Sequence, residues 1–170
     1  MRIFLVTIAA LMAAGIAPAL AGATRAVDPP YLRLARLLGT PQLVRAVQPR
    51  DKSRLLLEFV RPGESTSHWT KMTTVSIAVV PRPETQAAAY GIIDRFHRTL
   101  TQRHAHIGTF DLRPVKPYSV FFTFDANGER EQGIAYSPAA GFVTIAQVAE
   151  KKAGAISSND TRLLKSIIGR

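Results

Sequence analysis

The chain contains no cysteine, which at once excludes a disulfide framework, a thiolate metal site, a cysteine nucleophile and a lipobox anchor. It has no Walker sequence and no G-x-G-x-x-G following a strand, so no nucleotide is expected as ligand. The G-x-S-x-G elbow is missing, and S-x-x-K fails at Ser53 because Leu56 holds the fourth position. No apolar run after the first sixteen residues approaches the roughly 20 residues a bilayer span needs. Runs of like charge, internal repeats and low-complexity tracts are absent as well. Fold stability must therefore come from a packed core, and chemistry from residues brought together across space.

What is present begins at the N-terminus. Arg2 gives a positive start, residues 3–16 an apolar run, and Ala19-Leu20-Ala21 a small-x-small end, the pattern of a secretory signal peptide. The expected organisation is a signal peptide over 1–21, a linker and short N-terminal helix over 22–40, and a single α+β domain over 41–170. The protein is expected in the bacterial periplasm or secreted, and not as an integral membrane protein after cleavage. The remaining 149 of 170 residues suit one domain that buries about two-thirds of its unfolded surface. Basic residues number 22 against 12 acidic, a net charge of +10, or +9 once Arg2 is removed. Such an excess favours anionic partners such as lipid headgroups, lipopolysaccharide, extracellular nucleic acid or acidic polymers, but the charges are scattered and read first as a soluble basic surface; the partner expected is an unknown protein or an anionic envelope component.

Patterning sets the fold class. Pro29-Pro30 opens an amphipathic stretch carrying Tyr31, Leu34, Leu37 and Leu38, and Gly39 should stop it. Strands are expected over 43–47, 54–60 and 73–80, the last with Val75, Ile77 and Val79 on one face and Thr74, Ser76 and Ala78 on the other. Pro81 and Pro83 end that strand. Ala89, Ile92, Ile93, Phe96 and Leu100 then recur at helical spacing over 84–103, with Asp94 and Arg98 as an i, i+4 pair. Further strands follow over 106–112, 118–125, 132–136 and 141–150, with Tyr118, Val120, Phe122 and Phe124 alternating onto one face. The Ser157 to Asp160 stretch offers caps for a terminal helix carrying Leu163, Leu164, Ile167 and Ile168. The reading is α+β: a mostly antiparallel sheet of five to seven strands, packed with one long central helix and a C-terminal helix that together cover one face.

The stretch Leu57-Glu58-Phe59-Val60-Arg61-Pro62-Gly63-Glu64, followed by His68-Trp69-Thr70-Lys71-Met72-Thr73-Thr74-Val75, resembles a family of small exported bacterial proteins of uncharacterised function. In these an acidic-aromatic strand, a Pro-Gly-Glu turn and a W-T-x-M-x-T-V strand precede a long helix and a meander. The element order also resembles that of PsbP/Mog1-like proteins. The resemblance implies an exported binding or assembly module with an α/β/α sandwich.

The candidate ligand-binding residues are His68, Trp69 and Lys71, with Arg95 and Arg98 on the central helix. Trp69 admits two readings: a buried clamp whose indole N–H reaches a loop carbonyl, or an exposed platform flanked by His68 and Lys71. Met72 reads as core. His104 and His106 share strand spacing, but two ligands without a third do not make a zinc or copper site. Glu129 and Glu131 read as a solvated hairpin edge, and Glu58 as pointing outward between Leu57 and Phe59; were it inward, it should pair with an arginine. Phe121 and Phe142 read as core, which disfavours nucleic acid. No cofactor, no metal and no catalytic residue is expected. The function expected is a non-catalytic binding or assembly module. The alternatives are a periplasmic hydrolase using His68 or the histidine pair, and a basic protein binding anionic envelope components.

Overall fold

The computed structural model describes residues 29–80, 85–102, 106–113, 119–126, 128–137, 141–151 and 157–168; the expected signal peptide lies outside them. Seven strands alternate with three helices: α1 (Pro29–Leu37), β1 (Gln42–Val47), β2 (Arg54–Val60), β3 (Lys71–Val79), α2 (Thr85–Gln102), β4 (His106–Arg113), β5 (Ser119–Ala126), β6 (Glu129–Tyr136), β7 (Phe142–Lys151) and α3 (Ser158–Ile168). The expected α+β class holds. Strand and helix limits fall within three residues of the expected ones, because period two and period 3.6 are both clean in this sequence.

The strands form one sheet in the order β1-β2-β3-β7-β6-β5-β4, with every neighbouring pair antiparallel. Two meanders, β1-β2-β3 and β4-β5-β6-β7, meet along β3 and β7. Between them α2 carries the chain to the far edge. Its apolar residues Ile93, Phe96 and Leu100 pack on Val120, Phe122 and Phe124 of β5, Ala135 of β6 and Ile145 of β7, with Phe96 edge-on to Phe122 at 4.8 Å between centroids.

The expectation that both long helices cover one face is corrected here. On the opposite face Leu34, Ala35 and Leu38 from α1 and its end join Leu164 of α3 against Leu57, Phe59, Val75, Phe121, Ile134, Ala146 and Val148. Both faces of the central strands are apolar, Phe121 pointing one way and Phe122 the other, so each face needs a helix. Helix α1 ends in a Schellman motif: Gly39 adopts a φ of +78°, its N–H donates to the Arg36 carbonyl, and the Thr40 N–H donates to the Ala35 carbonyl. The Thr40 hydroxyl lies 2.6 Å from that of Thr73, which ties the helix exit to β3. Among the described residues no helix is long and apolar enough to cross a membrane.

Candidate functional site

Strand register places a row of polar side chains across the face that α2 occupies. Glu58 of β2 stands opposite Thr74 of β3, Thr74 opposite Gln147 of β7, and Gln147 opposite Gly133 of β6. Glu131 lies two residues before Gly133 and therefore on the same face, diagonal to Gln147. Gly133 admits no side chain, since a Cβ there would sit 2.5 Å from Phe122 Cζ and 2.7 Å from the Ala146 carbonyl oxygen. Phe122 thus packs across bare backbone, and the polar row stops at the edge of the aromatic cluster under α2.

This row is buried and poorly satisfied. Glu58 is 0% exposed, and Glu131 and Gln147 are each 2% exposed. Both carboxyl oxygens of Glu58, Oε2 of Glu131 and Oε1 of Gln147 have no hydrogen-bond partner among the described residues. Arg45 Nη1 stands 3.6 Å from Glu58 Oε2, an ion-pair separation too long for a hydrogen bond. A buried acceptor without a donor costs roughly 1–3 kcal/mol, and more when charged. Four such atoms along one row are therefore a destabilisation that packing alone does not explain.

The outward reading of Glu58 and the solvated-edge reading of Glu129 and Glu131 are corrected by this geometry. β6 lies inside the sheet, between β7 and β5, and Glu131 pairs with Phe124, a core residue. The signal was available in the sequence. Pairing Ala126 with Glu129 across the turn fixes the register, and counting back by twos sets Glu131 on the face of Phe122 and Phe124. For Glu58 the arginine pairing expected of an inward carboxylate is present in Arg45.

Trp69 lies beside the row. It is 4% exposed and packs with Val60, Met72 and Ala149, which stand two residues from Glu58, Thr74 and Gln147 along their strands. The buried clamp describes this residue, and the exposed platform does not. The indole N–H finds no carbonyl among the described residues, contrary to expectation. Lys151 Nζ sits 4.3 Å from the ring centroid, a cation–π contact.

The other candidates do not gather around Trp69. Lys71 points to the opposite face, where its Nζ lies 2.5 Å from Asp160 Oδ2 and 3.3 Å from Glu150 Oε1. It holds α3 to the sheet and is no free cation for a ligand. His68 is exposed and its Nδ1 lies 3.0 Å from Ser67 Oγ; no carboxylate among the described residues orients the ring, so the third element of a hydrolytic triad is missing there. Arg95 is exposed on α2, and Arg98 pairs with Asp94 at 2.8 Å, as the i, i+4 spacing predicts. His104 lies outside the described residues, and among those described no three His, Cys, Asp or Glu side chains are arranged to hold a metal ion. The Pro-Gly-Glu turn shapes the approach to the buried ring, since Glu64 Oε1 accepts from the Thr70 N–H and hydroxyl and so closes the loop that delivers Trp69. Phe121 is core as expected, whereas Phe142 is exposed beyond it.

The row's electrostatics follow from desolvation. Burial drives the Glu131 carboxyl well above its ordinary value, and neighbouring Glu129 pushes it further. Burial also raises Glu58 against the pull of Arg45, and Glu129 against that of Lys151. A carboxyl raised in the folded state keeps its proton longer than in the unfolded chain. Its effect on stability is nil below the ordinary value of 4.5 and grows more unfavourable as pH climbs from there to the folded value. Asp125, held low first by its hydrogen bond from Arg130, acts in the opposite sense and only in more acidic solution. Melting temperature is therefore expected to fall as pH rises above the ordinary carboxyl value of 4.5. Glu131→Gln should flatten that slope, and an equal slope in the variant would contradict the assignment.

No protein-family model matches the sequence, and no curated protein matches it. Among solved structures, the extracellular domain of PknH from Mycobacterium tuberculosis is similar in fold over 84% of this chain and 90% of that one, with 11% sequence identity and a TM-score of 0.44.

Proposed function

We propose that this chain is an exported, non-catalytic binding or assembly module, of the kind found in the small exported bacterial proteins its motif resembles, and that it works in the periplasm or outside the cell. Its ligand engages the sheet face that carries Glu58, Thr74, Gln147 and Glu131, which is closed in the unliganded chain and has to open to admit it. One observation supports this above the rest: four buried acceptor atoms on that face lack donors among the described residues. Binding sites keep such groups at a cost in stability and recover it when a ligand supplies the missing bonds. The N-terminal leader supports export.

The experiment compares unliganded stability. If Glu58 is held for a ligand, Glu58→Leu fills the same volume without the desolvated carboxyl and leaves Arg45, whose side chain is 42% exposed, in water. The variant is then expected to be more stable by about 1–4 kcal/mol. Gln147→Leu should shift in the same direction. Variants that melt lower than the parent chain, or fail to fold, would make these groups structural and end the reading.

A further inference from the structure

We propose that the outer surface of α1 and α3 is a docking face for an anionic lipid membrane, on which Arg33, Arg36, Arg162 and Lys165 meet headgroup phosphates while Leu37 enters the headgroup layer.

Cations that are scattered along the chain are gathered here by strand register. Helix α1 leads into Thr40, whose hydroxyl is bonded to that of Thr73 on β3, and α3 is tied down where the Thr161 hydroxyl donates to Gln132 of β6. Thr73 and Gln132 both stand opposite Val148 of β7. The two attachments therefore lie in one row, two interstrand steps or about 10 Å apart, which is the spacing of adjacent packed helices. The end of α1 and the start of α3 stand side by side, and each turns the same pattern outward. Leu34, Ala35 and Leu38 are buried and leave Arg33, Arg36 and Leu37 exposed. Asp160 and Leu164 are buried and leave Arg162, Lys165 and Ser166 exposed. Spacings of i, i+3 and i+4 keep each set on one stripe.

No carboxylate on these helices offsets the four cations. The single acidic residue of the two is Asp160, buried and ion-paired with Lys71. Lys165 stays exposed while its ammonium stands 4.5 Å from the Phe121 ring centroid, a cation–π contact that keeps this charge on the platform. A broad array of cations suits phosphates spread over a surface. Leu37, 53% exposed, lies among them, and an aliphatic side chain gains at the boundary of headgroup and acyl chain but not against the phosphates of a nucleic acid. The one aromatic residue of the two helices, Tyr31, packs against the core, so no ring is presented on which a base could stack.

The test is sedimentation with lipid vesicles, the parent chain being offered phosphatidylcholine alone or with an equal part of phosphatidylglycerol. The apolar run over 3–16 is shared by every variant, so its contribution cancels and only differences are read. Binding should require the anionic lipid and weaken with salt. Arg33→Gln with Arg36→Gln should weaken it at least about tenfold, and Leu37→Ser several-fold. Arg95→Gln with Arg98→Gln, which removes the same charge from the opposite face, should leave it nearly unchanged. Equal affinity of the two double variants would mean that overall charge acts and not this face, and would overturn the proposal. So would an unaffected Leu37→Ser variant, tighter binding to duplex DNA than to vesicles at equal phosphate, displacement by inorganic phosphate at the vesicles' own phosphate concentration, or no binding at all. The platform and the polar row lie on opposite faces of the sheet, so this result and the stability of Glu58→Leu succeed or fail separately.

Discussion

Replacing Asp160 with alanine is expected to destabilise the protein by about 3–5 kcal/mol, the usual result of leaving one member of a buried ion pair alone. The Lys71 side chain is 9% exposed and that of Asp160 4%, so water cannot replace the lost carboxylate. Glu150, 3.3 Å away and less buried, compensates in part. Asp160 also lies in the first turn of α3, where its N–H donates to Ser157 Oγ, so its charge favours the helix dipole too. The check is a double-mutant cycle by denaturant unfolding. Lys71→Met together with Asp160→Leu should recover much of the loss, because an apolar pair of similar size needs no counter-charge. If Asp160→Ala alone changes stability by less than about 1 kcal/mol, the pair behaves as a surface ion pair and does not anchor α3.

The second large effect belongs to Trp69. Truncation to alanine removes a ring buried against Val60, Met72 and Ala149 and leaves a cavity beside the polar row. The expected loss is about 3–5 kcal/mol, on the order of ten degrees in melting temperature for a domain of this size. Trp69→Phe should lose less, since most of the apolar contact survives and the indole N–H has no partner among the described residues to forfeit. Lys151→Met should cost little beside either, because the cation over the ring contributes about 1 kcal/mol. A Trp69→Ala variant that melts with the parent chain would restore the exposed platform as the better description of this residue.

How much of this was legible in the sequence depends on the range of each interaction. The elements were, because β5 alternates Val120, Phe122 and Phe124 and α2 repeats Ile92, Ile93, Phe96 and Leu100 at its own period. The allocation of helices to faces was not. Local periodicity says that a stripe is buried and does not say beneath which sheet face it lies. The candidate row was half legible: Glu131 follows from hairpin register alone, whereas Glu58 and Gln147 come together only because β3 pairs with β7. Lys71 and Asp160 are 89 positions apart, and no spacing rule links them. The same limit explains why His68, Trp69 and Lys71, close in sequence, do not form one site. Alternation along a strand sends Met72 and Lys71 to opposite faces, and Trp69 goes with Met72.

The β3 and β7 pairing also bears on how quickly the sheet assembles. Each meander needs only short turns and closes over small loops. The nine residue pairs that join them link positions 63 to 79 apart in the chain, and the entropy of closing so large a loop opposes assembly before any of those pairs forms. Until they do, each half leaves an inner strand with open amide and carbonyl groups, available to another copy in the same condition. Crowding of newly made chains before the two halves have met is therefore the circumstance in which this polypeptide is most prone to join the wrong half.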